Sequence, residues 1–298
     1  MKEKKRIVVI GGGTGTYTVL SGLKKHEVEL SAVVSMADDG GSSRILREEF
    51  GVLPPGSVRP ALVALSNAEK SVADLFSFRF SNGSLKEHNM GNLLLTALAQ
   101  NLGSFEKAIE EAGKILNIKG RVIPSTLQSV QLMAELENGK VIKGETNIDI
   151  PAHDGNLKIE KIWLEPSCKA NPKATEAILE ADAIVIGPGD LFTSIIPNFL
   201  VDGISEAYSM SKAKKIYVCN IMTKFGETSG FSSKDFLNTI EKYLKDGIQY
   251  MLVNTKTPLP ERIKTYEKEQ AEFVGYAPED FKDSPITIVE KDLLRPSG

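Results

Sequence analysis

Short apolar runs rich in β-branched residues recur along this chain, each followed by a stretch with helical spacing. That alternation predicts a mostly parallel sheet covered by helices on both faces. "RIVVI" (6–10) is the first such strand, and a helix is expected from about Thr16 to Lys25. "ELSAVVS" (29–35) reads as a second buried strand, with helix candidates in "SSRILREEF" and "SVADLFSFRF" beyond it. "GNLLLTALAQNL" and "SFEKAIEEAGKILN" are two helices separated by Gly103, with Ser104 as the N-cap of the second.

The pattern changes between about 121 and 165. "SVQLMAELENGKVIKGETNI" reads as two extended runs around Asn138-Gly139, a strong hairpin signal, and "LKIEKIWLEP" alternates like a half-exposed strand. An antiparallel insertion or sheet extension is expected here. Helix and buried strand then alternate again. "NPKATEAILEA" is a helix, "DAIVIG" a strand, and "SIIPNFLVDGISEAYSMS" a helix interrupted near Pro197. "KIYVCN" is a strand, "SSKDFLNTIEKYLKDG" a helix, "IQYMLVNT" a strand, and "PITIVEK" one further strand candidate in the tail. No linker or repeat splits the chain, so the expected organisation is one domain over 1–298.

At 298 residues a substantial core is available, and a formal charge of −3 gives no global attraction to nucleic acid or anionic lipid. Any anion has to be held by local geometry. Cys168 and Cys219 form no CxxC pair and read as two free thiols in a reducing compartment. The first apolar run is too short for a signal peptide, and no run approaches the ~18 residues of a membrane span. The expectation is a cytoplasmic protein with no membrane insertion and no nucleic-acid partner.

The candidate chemistry lies in the loops after the strands. In a parallel sheet, ligands bind outside the carboxyl ends of the strands, where strand order reverses. Here those loops are "GGGTGT", "MADDGGSS", "GPGDLFTS", "NIMTKFGE" and "NTKTP", far richer in Gly, Thr, Ser and Asp than a scaffold turn requires. In the first, Gly11, Gly12, Gly13 and Gly15 permit positive φ and close approach of an anion, and Thr14 lies among them. The helix expected near Thr16 would point its N-terminal amides at the same place. Both registers of the dinucleotide fingerprint lack their third glycine, and no Gly-Lys-Ser/Thr follows, so a bare strand-to-helix turn stands as the alternative.

"ADDGGSS" places Asp38 and Asp39 where a Rossmann enzyme puts its ribose acid, beside Gly40, Gly41 and Ser42. Two adjacent carboxylates equally suit one Mg²⁺, and an Asx-turn with Ser42 or Ser43 as helix cap is the structural alternative. "GPGDLFTS" offers Gly187 and Gly189 for backbone approach and Thr193 and Ser194 as hydroxyl donors, with Asp190 also a possible cap. Two glycine-rich turns suggest one extended polyanionic ligand gripped at both ends. Arg59 and Lys224 are candidate phosphate partners, Asn220 opens the fourth loop, and Asn89 and Asn92 lie at a helix start beside His88. His88 has no second histidine or cysteine nearby to complete a zinc site, and His26 and His153 read as surface residues. The absence of GxSxG, HExxH and CxxC motifs leaves hydrolase and zinc-enzyme readings unsupported.

Taken in order, "GGGTGTYTVLSGL", "ADDGGSS", "GVLPPGSVR", "GNLLLTAL", "GETNI", "IWLEP", "IVIGPGDLFTSIIPNFL" and "YVCNIMTKFGET" resemble the bacterial gluconeogenesis factor family, YvcK. That family lies in the superfamily of the 2-phospho-L-lactate transferase CofD. The resemblance implies a Rossmann-like α/β fold, a homo-oligomer and a cytoplasmic binder of a UDP-sugar such as UDP-N-acetylglucosamine. It also implies a role in coordinating carbon metabolism with cell-envelope growth and cell shape, with no established reaction. The transferase cousins use Mg²⁺ to move a lactyl-phosphate group from a nucleotide onto a deazaflavin. Nucleotide and phosphate contacts would fall on Gly12 to Gly15, Asp38, Asp39 and the 187–194 loop.

The chain departs from the family pattern at three places. Arg44 stands where relatives read glycine after the serines, Ser57 where they read an aspartate in "PPGDIRN", and Asp190 where they often read serine. Serine cannot replace a carboxylate at a metal, which weakens the transferase reading more than the binding one. Three functions therefore remain: a regulatory UDP-sugar binder, a Mg²⁺-dependent phosphotransferase acting on a nucleotide diphosphate, and an NAD-binding oxidoreductase.

Overall fold

The structure is a computed structural model that describes residues 4–294. Among the described residues there are ten strands: β1 (Lys5–Gly11), β2 (Val28–Val34), β3 (Arg121–Pro124), β4 (Gln131–Leu136), β5 (Val141–Lys143), β6 (Ile159–Glu165), β7 (Ala183–Ile186), β8 (Lys214–Val218), β9 (Tyr250–Asn254) and β10 (Thr287–Lys291). Seven form a wholly parallel sheet in the order β10-β9-β8-β7-β1-β2-β3, and the other three form a separate antiparallel sheet, β5-β4-β6. The chain winds outward from β1 in one direction through β2 and β3, then restarts at β7 and winds the other way. The point of reversal is the β1–β7 seam.

Strand alternation divides the core into two layers, as the side-chain period of two requires. Val8 and Ile10 of β1, with Ile184 and Ile186 of β7, pack into the layer that also contains helices Pro172–Leu179 and Ser233–Glu241. Val9 and Val185, from the same two strands, pack into the opposite layer under helices Gly13–Leu23, Val58–Leu65, Met90–Leu102 and Phe105–Ile115. The antiparallel sheet adds Leu132, Ala134, Ile162 and Leu164 to the first layer. Both cysteines are buried and unpaired. Among the described residues no helix is long and apolar enough to cross a membrane.

Several boundaries differ from the sequence reading. Residues 121–124 are the edge strand of the parallel sheet, so the antiparallel unit begins at Gln131. The Asn138-Gly139 turn is present, with Gly139 at φ 80°. The "GETNI" end of the expected second run instead turns at Gly144 (φ 96°) into the short helix Glu145–Asp149, because a left-handed residue ends the strand. Helix Val58–Leu65 was not foreseen, since Pro60 masks it; proline is tolerated there because it lies in the first turn.

Pro197 does not interrupt its helix. It sits in the first turn of Ile196–Phe199, which continues directly from a π-helical turn, Leu191–Ile195. The break comes at 200–203, where Gly203 takes φ 104° before Ile204–Met210. The first helix starts at Gly13, three residues before Thr16.

Ser104, Asn171 and Ser232 each accept a backbone N–H in the first turn of their helices. Ser232 completes a capping box with Asp235, with Oγ accepting from Asp235 N at 3.3 Å and Asp235 Oδ2 accepting from Ser232 N at 2.8 Å. Ser232→Ala should lower stability by about 1 kcal/mol in urea unfolding with an unchanged m-value; an unchanged midpoint would show that the box contributes nothing.

Candidate functional site

Two glycine-rich loops meet at the β1–β7 seam because Gly15 carries no side chain where they touch. A Cβ built on Gly15 would fall onto the carbonyl of Pro188 and lie 3.0 Å from Gly189 N, and one on Gly11 would lie 3.9 Å from Gly187. Gly12 faces Ser194 and Ser57, with an added Cβ at 3.5 and 3.4 Å from their side chains. Asn198, fully buried, fastens the seam from below: its Nδ2 donates to Gly11 O at 3.4 Å and Ser194 O at 3.0 Å. Of the four glycines expected to supply positive φ, Gly13 alone does so (63°), and Gly12 is extended. The others serve close approach rather than unusual torsion.

The β1–β2 side of the seam is rich in unengaged donors. Helices Gly13–Leu23 and Gly41–Phe50 both begin there behind glycine N-caps, Gly12 and Gly40, with no side-chain cap. Their first-turn amides and dipoles face the edge unsatisfied by side chains. Thr14 is exposed on the first of these turns. Ser42 and Ser43, expected as possible caps, are used otherwise. Ser42 Oγ lies 3.1 Å from His88 Nδ1, and Ser43 bonds the Asp38 carboxylate. Arg59 is half-buried; its Nε donates to Asn92 Oδ1 at 3.2 Å, and it forms no ion pair with a carboxylate. Burial and the charge of Arg79 hold the guanidinium pKa of Arg59 below its usual value.

Asp38 and Asp39 close β2. Asp38 Oδ1 accepts from Gly40 N at 3.2 Å, which is the Asx-turn, while Oδ2 is fully buried against Gly56, where an added Cβ would fall on it and on Ser43 Oγ. Burial raises its pKa. Asp39 Oδ1 accepts from Thr146 N at 2.8 Å, tying β2 to the helix of the antiparallel unit.

The β7–β8 side is different. The 187–194 loop contributes fewer free donors than its composition suggested. Gly189 is clamped by Asn220, whose Oδ1 accepts from its N at 3.3 Å and whose Nδ2 donates to its O at 2.9 Å. Gly187 N donates to Ile10 O. Thr193 Oγ1 and Phe192 N both donate to the buried Glu227 carboxylate, at 2.7 and 2.9 Å. That internal carboxylate stands where a phosphate was expected. Asp190 makes no capping bond. Lys224, expected to meet phosphate, pairs with Asp149 at 3.0 Å. Asn89 likewise is structural: Oδ1 caps its helix at Gly91 N and Nδ2 donates to Ser77 O.

This side carries a connected group of acids. Burial, then Asp38, Asp149, Asp39 and Glu227, push the Glu145 carboxyl up to about 9. Burial also raises Asp190 against the pull of Lys224, and raises Glu227 with help from Asp190. Burial lowers the Lys224 ammonium, but Asp149, Asp190 and Glu227 outweigh it and the net shift is upward. Among the described residues no three His, Cys, Asp or Glu side chains are placed to hold a metal. His26 is exposed, whereas His153 is half-buried with Nε2 fully buried.

The family model described as "2-phospho-L-lactate transferase CofD" matches residues 7–294. The chain belongs to the CofD family. This CofD-family chain is 45% identical over 290 residues to a putative gluconeogenesis factor of Thermotoga maritima, covering 97% of the chain and 90% of that protein. It is 43% identical to a gluconeogenesis factor of Listeria innocua, over 98% of the chain and 90% of the relative. A solved UPF0052-family protein from Bacillus halodurans superposes with a TM-score of 0.92 at 41% identity, over 97% of the chain and 93% of the other.

Four charged residues gathered near the strand ends escaped the sequence reading: Arg79, Glu145, Asp149 and Glu227. Glu145 and Glu227 lie inside the quoted motifs "GETNI" and "KFGET", the one signal that marked them. Nothing local distinguishes a solvated glutamate from one that folding buries.

Gly15→Ala should destabilise by several kcal/mol, since its Cβ has no room beside Pro188, whereas Gly22→Ala on the same helix, with open space, should be neutral or stabilising by up to ~1 kcal/mol. Equal effects in denaturant unfolding would refute the close contact. Glu145 binds its proton more tightly when folded than when unfolded, so its contribution to stability falls as pH rises from about 4.5 towards about 9. Glu145→Gln should therefore be more stable than the parent at pH 8, with the gain shrinking towards pH 5; a pH-independent difference would contradict the buried, protonated carboxyl.

Proposed function

We propose that this CofD-family chain is a regulatory nucleotide-sugar binder whose ligand is a UDP-sugar, UDP-N-acetylglucosamine first among them. In this reading it acts in the cytoplasm as a homo-oligomer and couples carbon metabolism to envelope growth and cell shape. The observation that carries it is the arrangement at the switch point. Two helix N-termini without side-chain caps and a half-buried arginine with no carboxylate partner meet beside the β1–β7 seam. Backbone amides and a guanidinium are the groups that hold a diphosphate. The likeness to gluconeogenesis factors supports the biological setting.

A second reading, transfer of a phosphorus-containing group, is favoured by the transferase that gives the family model its description. The donor chemistry fits Mg²⁺ in part: Asp38 and Asp39 are adjacent carboxylates at the end of β2, although Asp38 Oδ2 is buried against Gly56. These two carboxylates would hold the ion with phosphate oxygens and water completing its shell. When bound it would polarise a phosphoryl group. Ser57 adds no carboxylate. For NAD the third glycine of the fingerprint is still missing.

Thermal unfolding with UDP-N-acetylglucosamine, UDP-glucose, UDP, NAD and GTP tests the proposal. A micromolar ligand, binding with ~8 kcal/mol, stabilises by ~2.7 kcal/mol at 100 times its Kd, and Arg59→Gln should remove most of that shift. No response to any UDP compound would discard it. Mg²⁺-dependent nucleotide release to an added hydroxyl acceptor, lost in Asp38→Asn, would replace binding by transfer.

A further inference from the structure

The segment between helices Lys70–Ser77 and Met90–Leu102 is a small antiparallel hairpin. Arg79 and Asn89 form its bridge, Phe80 N donates to His88 O at 2.9 Å, and Met90 N donates to Phe78 O at 2.8 Å. Residues directly opposite one another in such a pair project to the same face, as do residues two apart on one strand. Phe78, Phe80 and His88 therefore share a face, with Arg79 and Asn89 on the other. The rings of Phe78 and Phe80 meet edge to face, their centroids 5.1 Å apart.

That face is tied to the candidate site. His88 Nδ1 lies 3.1 Å from the hydroxyl of Ser42, in the first turn of the helix that begins at Gly41. Phe80 is the cross-strand neighbour of this histidine. Where the chain leaves the hairpin, a Cβ added to Gly91 would lie 2.9 Å from Arg59 Cδ, so the segment packs on the arginine stem. The hairpin thus adjoins both the helix start and the guanidinium that the functional reading assigns to a diphosphate.

Its aromatic pair is open where a neighbour two residues away is not. Phe76 is 1% exposed, whereas Phe78 is 51% exposed and Phe80 is half-buried. Single apolar residues scattered over a surface are ordinary, but paired aromatic rings beside a few polar and cationic groups have the composition of a ligand site. Two phenylalanines, at about 150–250 Å² each and partly covered, supply little of the ~800 Å² per partner that a stable protein interface takes. They match a small ligand with a flat ring at one end and phosphates at the other.

We propose that Phe78 and Phe80 are the platform on which the nucleobase of the bound nucleotide stacks, with His88 fixing the hairpin to the helix start at Ser42. This rests on the UDP-sugar reading above and adds what that reading leaves open: where the base lies and which side chains hold it. Every base has a π-face, so the platform sets the position of the base rather than its identity.

UDP and inorganic pyrophosphate differ by the nucleoside, and calorimetric titration of the whole chain with UDP, with pyrophosphate read by competition, supplies the test. Stacking on an aromatic side chain makes UDP at least about tenfold tighter than pyrophosphate in the parent chain. Phe80→Leu keeps apolar bulk and removes the π-face. It should weaken UDP about tenfold, leave pyrophosphate within about twofold, and leave the unfolding midpoint of the free protein nearly unchanged. Arg59→Gln should weaken UDP and pyrophosphate together. Trp163 is the one tryptophan of the chain, so Phe80→Trp in a Trp163→Phe background gives a single reporter whose fluorescence UDP should quench and pyrophosphate should not.

UDP affinity unchanged by Phe80→Leu overturns the proposal, as does equal weakening of UDP and pyrophosphate. Where pyrophosphate does not compete at all, absence of quenching by bound UDP overturns it. A Phe80→Leu chain that binds UDP normally but sediments as a smaller species assigns the rings to a second copy and also overturns it. If the parent binds no UDP compound, the reading beneath falls as well, and that failure is recognised before any variant is made.

Discussion

The whole arrangement depends on one absence of atoms. Gly15 has no side chain, and so the turn after β1 can lie against the carbonyl of Pro188 in the turn after β7. A Cβ there would force the loops apart, and with them the two strand ends on which the site is built. Asn198 holds the same contact from beneath, donating to carbonyls of both loops from a fully buried position. Rigid strands bring the loops to one edge, but contact between loops makes that edge one continuous surface rather than a set of separate turns.

From that contact follows a division between free and engaged donors. Glycine N-caps leave the amides of two helices unsatisfied by side chains on the β1–β2 side, where Arg59 stands without a carboxylate partner. Across the seam Glu227 fills the donors of the Leu191–Ile195 turn from within the protein. An internal carboxylate in place of an external anion stabilises the turn in the free protein, and it bars the same donors from binding phosphate. The antiparallel unit takes part in this division. Its helix Glu145–Asp149 brings two acids to the edge, and Asp39 and Lys224 hold it there through Thr146 and Asp149.

The burial of several carboxyl groups has a cost that a structural scaffold has no reason to bear. Removing ionised groups from water raises their pKa values and lowers stability at neutral pH. Glu145 at about 9 is the clearest example, since burial dominates its shift and four acidic neighbours add to it. Sites retain such groups where a ligand makes use of them. The likeness to gluconeogenesis factors extends across nearly the whole of this CofD-family chain.

The strands, most of the helices and the parallel sheet could be read along the chain because each depends on local periodicity. "RIVVI", "DAIVIG" and "KIYVCN" carry their own strand signal, and Ser104 and Ser232 mark helix starts by a hydrogen bond to a residue three positions away. Gathering the glycine-rich loops at one edge also follows from the sequence, since parallel strands present their carboxyl ends together. The sequence did not determine which donors in those loops stay free. Thr193, Gly189 and Lys224 are taken by Glu227, Asn220 and Asp149, partners 31 to 75 positions distant in the chain, and nothing in a local window reveals them. Hydrogen bonds and charge pairs between remote segments exist only once the seam has closed, so tertiary structure alone divided the edge into a side whose first-turn amides have no side-chain cap and a side whose donors are filled.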